Sequence, residues 1–153
     1  MKRGQILVEV VLAMAIAILA VVGLAQIATK STSNAGSSSR RAVATTYAVA
    51  GMEWIRNQKN TIAWSDFSST SKAPVPPNPA NVYCLNSFPG SWTSMAAGAC
   101  ASGSTISGTE FSRSMTLSAV TAPVLQVTVV VEVTWREGGT ALTSRQTSVF
   151  TSY

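Results

Sequence analysis

Hydrophobic and polar positions divide this chain into three stretches, of which the first is almost entirely apolar. Residues 6–25 read ILVEVVLAMAIAILAVVGLA, and their single charged residue is Glu9. With a rise of 1.5 Å per residue, a helix over residues 5–27 would be about 35 Å long, enough to cross a hydrocarbon core of about 30 Å. Lys2 and Arg3 precede it, so the positive-inside rule places the amino end in the cytoplasm. We therefore expect a membrane-spanning helix.

The second stretch is polar but retains a helical period. Four residues fall at i, i+4, i+7 and i+11, which places them on a single stripe of a helix; they are Val43, Tyr47, Ala50 and Trp54. This spacing predicts a helix that buries one face against a sheet. A stripe that binds a partner protein is the alternative.

The third stretch ends in a strand pattern. After a connection over residues 62–103 that predicts short strands at most, apolar and polar residues alternate in 111–118 and again in 127–136. Glu137-Gly138-Gly139-Thr140 is a turn signal, and residues 141–150 return as a further strand. We expect an antiparallel sheet of three or four strands, packed on the face of the helix that carries Tyr47 and Trp54.

Composition narrows the kind of protein. The 153 residues include 11% charged residues, against about 25% in an ordinary soluble domain, and no His. The absence of His removes Ser–His–Asp and Cys–His nucleophile systems and all His-based metal sites. No Gly-rich phosphate loop or nucleophile elbow occurs, and the acids of the third stretch have no catalytic spacing. We expect no enzyme activity, no cofactor and no metal.

Cys84 and Cys100 are the only cysteines and lie 16 residues apart. Outside the cytoplasm an even pair of this kind predicts a disulfide. Such a loop would contribute on the order of 3 kcal/mol, mainly by restricting the unfolded chain.

The amino terminus carries a family resemblance. Met-Lys-Arg-Gly forms a short basic leader that ends in Gly4, and Glu9 is the fifth residue after it, inside an otherwise uncharged run. This arrangement resembles the signal of type IV pilin-like proteins. A secretory signal peptide fits less well, because the apolar run is longer than the usual core and good cleavage sites lie beyond a full span.

The resemblance implies a set of roles. A prepilin peptidase would cut between Gly4 and Gln5 on the cytoplasmic side, and Gln5 would become the new, N-methylated terminus; the family most often has Phe or Met there. Glu9 would act as the registry residue, pairing with the terminal amine of a neighbouring subunit in the filament core. Implied partners are other pilin or pseudopilin subunits, an inner-membrane platform protein and, indirectly, an assembly ATPase.

The resemblance also implies an α+β lollipop plan. We expect a cleaved leader over 1–4, a transmembrane and filament-core helix over 5–29, an amphipathic continuation over 30–60 and a β-rich head with a disulfide over 61–153. A weaker likeness of the 48–58 segment and of the carboxy-terminal strands to V-type minor pilins and I-type secretion pseudopilins favours a minor subunit. The filament would be extracellular or periplasmic.

Two alternatives remain open. The chain could be a single-pass, membrane-anchored binding domain that forms no filament. A filament subunit could also bind DNA, but the cations are scattered rather than clustered with aromatic residues, so nucleic-acid binding has no support. The sequence does not distinguish adhesion or motility pili, DNA-uptake filaments and type II secretion filaments.

Overall fold

The protein is α+β. The computed structural model describes residues 2–75, 79–121 and 124–152, with the side chains of residues 2–7 outside the description. Its helices are α1, Lys2–Thr61, and α2, Trp64–Phe67. Its strands are β1, Asn81–Cys84; β2, Ser112–Val120; β3, Gln126–Glu137; and β4, Thr140–Thr151. The chain forms two compact units, Met1–Arg40 and Arg41–Tyr153. We call the second unit the head.

The strands form one antiparallel sheet in the order β1-β2-β3-β4. Along β3, every second residue from Val127 to Trp135 is buried, and the residues between are half-buried. β2 has the same alternation, with Arg113, Met115, Leu117 and Ala119 on the inner face. The two-residue period and the direction of the apolar face are therefore confirmed.

The turn between β3 and β4 is fixed by two glycines. Glu137 pairs with Thr140, so Gly138 and Gly139 alone form the loop. Their φ angles are 57° and 85°, the left-handed values that a tight hairpin of the I′ type needs at both central positions. The predicted turn is therefore present.

The predicted packing stripe of the helix is wrong in register. Val43 is 40% exposed and Ala50 is also exposed, whereas Tyr47 and Trp54 are only half-buried at the edges of the contact. The buried face lies about one residue further round the helix. Its apolar residues are Ala44, Ala48, Met52 and Ile55.

Close approach between helix and sheet explains the shift. Ala44, Ala48 and the buried Gly51 have small side chains or none, so the backbone of α1 can lie near the sheet. A Cβ on Gly51 would be 3.0 Å from Cγ1 of Val131 and 3.1 Å from Cδ of Arg113. The large aromatic residues that suggested the stripe would not fit there.

The aromatic residues instead close the sides of the core. Tyr47 packs against Phe111, with ring centroids 5.5 Å apart, and Trp54 stacks on Phe88 at 5.7 Å. Beneath the connection, the rings of Phe67 and Trp92 are 4.5 Å apart. The connection thus contributes side chains to the same core as the sheet and the helix.

The connection over residues 62–103 is cross-linked. Cys84, the last residue of β1, forms the predicted disulfide with Cys100. Two further ties hold the same region: Gly98 N–H donates to the carbonyl of Val82, and Asn81 and Tyr83 both bond the carbonyl of Lys72. Part of the proline-rich segment of the connection, residues 76–78, lies outside the described residues.

Candidate assembly site

The first unit exposes apolar side chains along its helix. Large hydrophobic residues are exposed from Val8 to Ile27, and Leu19, the most exposed of them, has 71% of its surface open. Over its described side chains, Val8–Thr61, α1 is long and apolar enough to cross a membrane. Exposed apolar surface of this extent marks a contact with lipid or with another protein.

Glu9 is the single charged residue within this apolar surface. Its side chain is exposed, and among the described side chains it has no ion-pair partner. A carboxylate deep in a bilayer costs roughly 3 kcal/mol on insertion scales, and such residues usually have a partner or a function. Any partner for Glu9 must come from outside the described part of the chain.

Gly4 and Gln5, the residues of the predicted cut, belong to the backbone of α1. The structure does not describe their side chains, and it does not describe Met1. The predicted cut and methylation therefore stay predictions, and Gly4 and Gln5 lie on the same helix as Glu9, about one turn before it.

The Ser- and Thr-rich part of α1 continues the helix and bonds its hydroxyls locally. Thr29 Oγ1 donates to the carbonyl of Ala25 over 2.9 Å, and Thr32 Oγ1 donates to the carbonyl of Ala28 over 3.0 Å. These bonds satisfy polar groups on a helix of otherwise modest propensity. The Thr hydroxyls at the end of the apolar segment therefore do not need a hydrogen bond to water.

The head contains a buried cation that the sequence does not single out. Arg113 is 3% exposed on the inner face of β2. Its Nε donates to the carbonyl of Leu85 over 2.9 Å, and its Nη1 donates to the carbonyl of Tyr47 in α1 over 3.0 Å. Phe88 covers the guanidinium, with 4.0 Å between Cζ and the ring centroid. Arg113 thus joins the helix, the connection and the sheet.

Burial lowers the pKa of the Arg113 guanidinium, and the neighbouring Tyr47 opposes this effect. An arginine still remains charged at any physiological pH.

The position of Arg113 in the sequence is the signal that could have identified this buried cation: in an alternating strand, it occupies an inward position between apolar residues. A charge in that position indicates internal hydrogen-bond partners.

Neither possible metal ligands nor similar proteins assign a function to this site. Within the described ranges no group of three His, Cys, Asp or Glu side chains could hold a metal ion. No protein-family model, curated protein or solved structure matches the chain.

Proposed function

We propose that this chain is a type IV pilin-like subunit that assembles into a filament through its amino-terminal helix. The observation that carries the proposal is Glu9: it is the one carboxylate in the exposed and otherwise uncharged run of residues 6–25, which follows the basic residues Lys2 and Arg3 and the small residue Gly4. A plain anchor has no use for that carboxylate.

We expect the exposed apolar helix to lie in two environments, one before assembly and one after it. Before assembly it lies in the cytoplasmic membrane, with its amino end inside. After cleavage between Gly4 and Gln5 it packs with the helices of other subunits in the filament. Both environments would cover the exposed apolar surface from Val8 to Ile27.

Glu9 sets the register between subunits. In an apolar core an unpaired carboxylate is heavily penalised, while a correct pair gains little beyond its own desolvation cost. The new amino terminus of Gln5 on a neighbouring subunit supplies the opposite charge. Specificity therefore comes chiefly from the cost of misplacement.

The disulfide of the head supports a location outside the cytoplasm, in an extracellular or periplasmic filament. A minor pilin or pseudopilin role follows from the likeness of the 48–58 segment and of β3 and β4. Its partners are other pilin subunits, the prepilin peptidase, the platform protein and, through it, the assembly ATPase.

Replacing Glu9 tests the proposal. Glu9→Val should leave the protein in the membrane fraction but reduce its amount in sheared filaments at least tenfold, measured by quantitative immunoblot. Val10→Ile is the matched control, since it alters the neighbouring exposed position without changing charge. Filament levels of Glu9→Val equal to wild type would refute the registry role.

Intact-mass measurement tests processing separately. A mature chain that begins at Gln5 and retains the apolar helix supports the pilin-like assignment, and an added 14 Da at that terminus would show methylation. A mature chain that retains residues 1–4 would favour the anchored, filament-free binding domain.

A further inference from the structure

The last strand of the sheet has an open edge. β4 stands at the end of the order β1-β2-β3-β4 and is 12 residues long, from Thr140 to Thr151. Its register with β3 is continuous through every pair, so no β-bulge bends it away. Within the described ranges, its backbone groups form hydrogen bonds with β3 and with no other segment. A strand edge of this kind can pair with a strand of another molecule.

β4 also lacks the features by which proteins usually protect such an edge. These features are a short strand, a proline, a bulge or a free charge. The strand has no proline, and its single charged residue, Arg145, forms an ion pair with Glu132 of β3. Most of its exposed side chains are Thr or Val, which favour strand pairing. The edge is therefore suited to a contact with a further strand.

Alternate residues of β4 direct their backbone groups to the open side. In a hairpin with a two-residue loop, the residues that flank the loop form a hydrogen-bonded pair, here Glu137 and Thr140. Because hydrogen-bonded and non-hydrogen-bonded pairs alternate along antiparallel strands, the even-numbered residues of β4 bond to β3. The N–H and C=O groups of the odd-numbered residues lie on the open edge; these residues are Ala141, Thr143, Arg145, Thr147, Val149 and Thr151.

The opposite end of the sheet does not offer a matching edge. β1 has only four residues, and Gly98 pairs with Tyr83 on its outer side. The N–H of Gly98 also donates to the carbonyl of Val82 over 2.7 Å. Addition of β4 to β1 of another copy is therefore obstructed, and the equivalent open edge of a second copy is its own β4.

Length and charge select one register for two antiparallel β4 strands. Opposed residues must both be odd-numbered if their open groups are to bond. Pairing centred on Gln146 uses every open residue and places Thr147 opposite Arg145. Centring the pair on Arg145 would oppose two guanidinium groups, which is destabilising. Centring it on Thr147 would leave Ala141 without a partner.

We propose that the open edge of β4 binds β4 of a second copy of this chain, antiparallel about a two-fold axis at Gln146. The two four-stranded sheets then form one continuous sheet. This axis is perpendicular to the sheet and reverses the strand direction. Subunits that point the same way along one filament are not related by such an axis, so the contact does not rest on the proposed assembly through Glu9.

Oxidative cross-linking of the full chain in detergent micelles tests the register. The two copies of Gln146 would form a non-hydrogen-bonded pair with Cα atoms about 4.5 Å apart, within the range that a disulfide spans. We expect Gln146→Cys to give a covalent dimer on a non-reducing gel. Thr143→Cys is the matched control: its side chain is more exposed, but its counterpart would lie opposite Val149, out of reach. Wild type, whose two cysteines are bonded to each other, is the blank.

Removal of one open N–H tests the hydrogen bonding. Thr147→Pro, combined with Gln146→Cys, removes an N–H that β3 does not use, so the head should stay folded by circular dichroism while the covalent dimer is lost. Thr147→Val keeps the N–H and should cross-link as before. In wild type, amide exchange at Thr143, Arg145 and Thr147 should slow as the protein concentration rises, because dimer formation covers these groups.

Three results would overturn the proposal. The first is equal cross-linking of Gln146→Cys and Thr143→Cys, and the second is a covalent dimer that persists in a folded Thr147→Pro variant. The third is amide exchange on the open edge that does not change with protein concentration. If Thr147→Pro fails to fold, the exchange measurement on wild type decides the question.

Discussion

The apolar part of α1 exposes its hydrophobic side chains, whereas the head buries them. From Val8 to Ile27 the large apolar side chains are exposed, whereas in β3 the valines of the inner face are fully buried. The same residue types thus serve one region as an external contact and the other as a core. The first region depends on its surroundings for stability, and the second contains its own.

Each region has one charged residue among apolar ones, and the two residues differ in their partners. Glu9 has no ion-pair partner among the described side chains, while Arg113 has internal carbonyl partners and an aromatic cover. Removing an internal partner of a buried charge is strongly destabilising. A charge on an apolar segment long enough to cross a membrane usually has a partner or a function.

Removing residues 1–40 should separate the properties of the two regions most clearly. The remaining chain keeps the entire buried core and loses the exposed apolar residues up to Ile27. We expect it to move from the membrane pellet to the soluble fraction after ultracentrifugation, and to stay folded by circular dichroism without detergent.

A longer truncation is the matched control. Removing residues 1–60 also takes away Ala44, Ala48, Met52 and Ile55, so this chain should not fold. An aggregated product from the shorter truncation would contradict the claim that the head is self-sufficient.

Replacing both Cys84 and Cys100 with Ser should lower the free energy of unfolding of the head by about 3 kcal/mol, because the unfolded chain gains freedom. Urea denaturation followed by tryptophan fluorescence measures this, and membrane partition should not change. Wild type in the presence of a reductant should show the same loss. An unfolding free energy equal to that of oxidised wild type would contradict the prediction.

Gly51→Leu should destabilise the head by about 1–3 kcal/mol, because its side chain would meet Val131 and Arg113. Gly36→Leu is the control: it lies on the same helix with nothing within 4 Å of its Cβ. Leu favours a helix over Gly, so propensity does not explain a loss at position 51. The unfolding midpoints of the two variants in urea should therefore differ, and equal midpoints would refute the close contact.

Tyr83→Phe should have the smallest effect, a loss of about 1 kcal/mol from the bond to the Lys72 carbonyl. Burial raises the pKa of Tyr83, and the hydrogen bond from Asn81 opposes this. The wild-type contribution is therefore complete below the ordinary pKa of about 10 and is lost as the pH rises through the raised value.

Urea titrations at increasing pH measure this effect. Wild type should lose stability more steeply than Tyr83→Phe above about pH 10. Parallel curves for the two proteins would show that the buried phenol has no part in the alkaline transition.

The sequence predicts the sheet well because the evidence is local. The alternation in residues 127–135 specifies both the strand and its buried face, and the Gly138-Gly139 pair specifies the turn. The disulfide follows from the even number of cysteines together with the expected location outside the cytoplasm. These features depend on few long-range contacts.

The packing of the helix is not predictable in the same way. Two neighbouring stripes of α1 have apolar residues, and choosing between them requires knowing how near the sheet comes. Gly51 and Ala48 decide this by being small, although the larger Tyr47 and Trp54 give the stronger pattern. The partners of Arg113 are likewise main-chain carbonyls from distant segments, which no side-chain pattern reveals.

The cross-link between Cys84 and Cys100 ties the stability of the head to the redox state of its surroundings. Thiols stay reduced in the cytosol, so a chain held there lacks this bond. The reduced head is less stable, because its unfolded chain is less restricted. An oxidising compartment therefore favours the folded head more than a reducing one does.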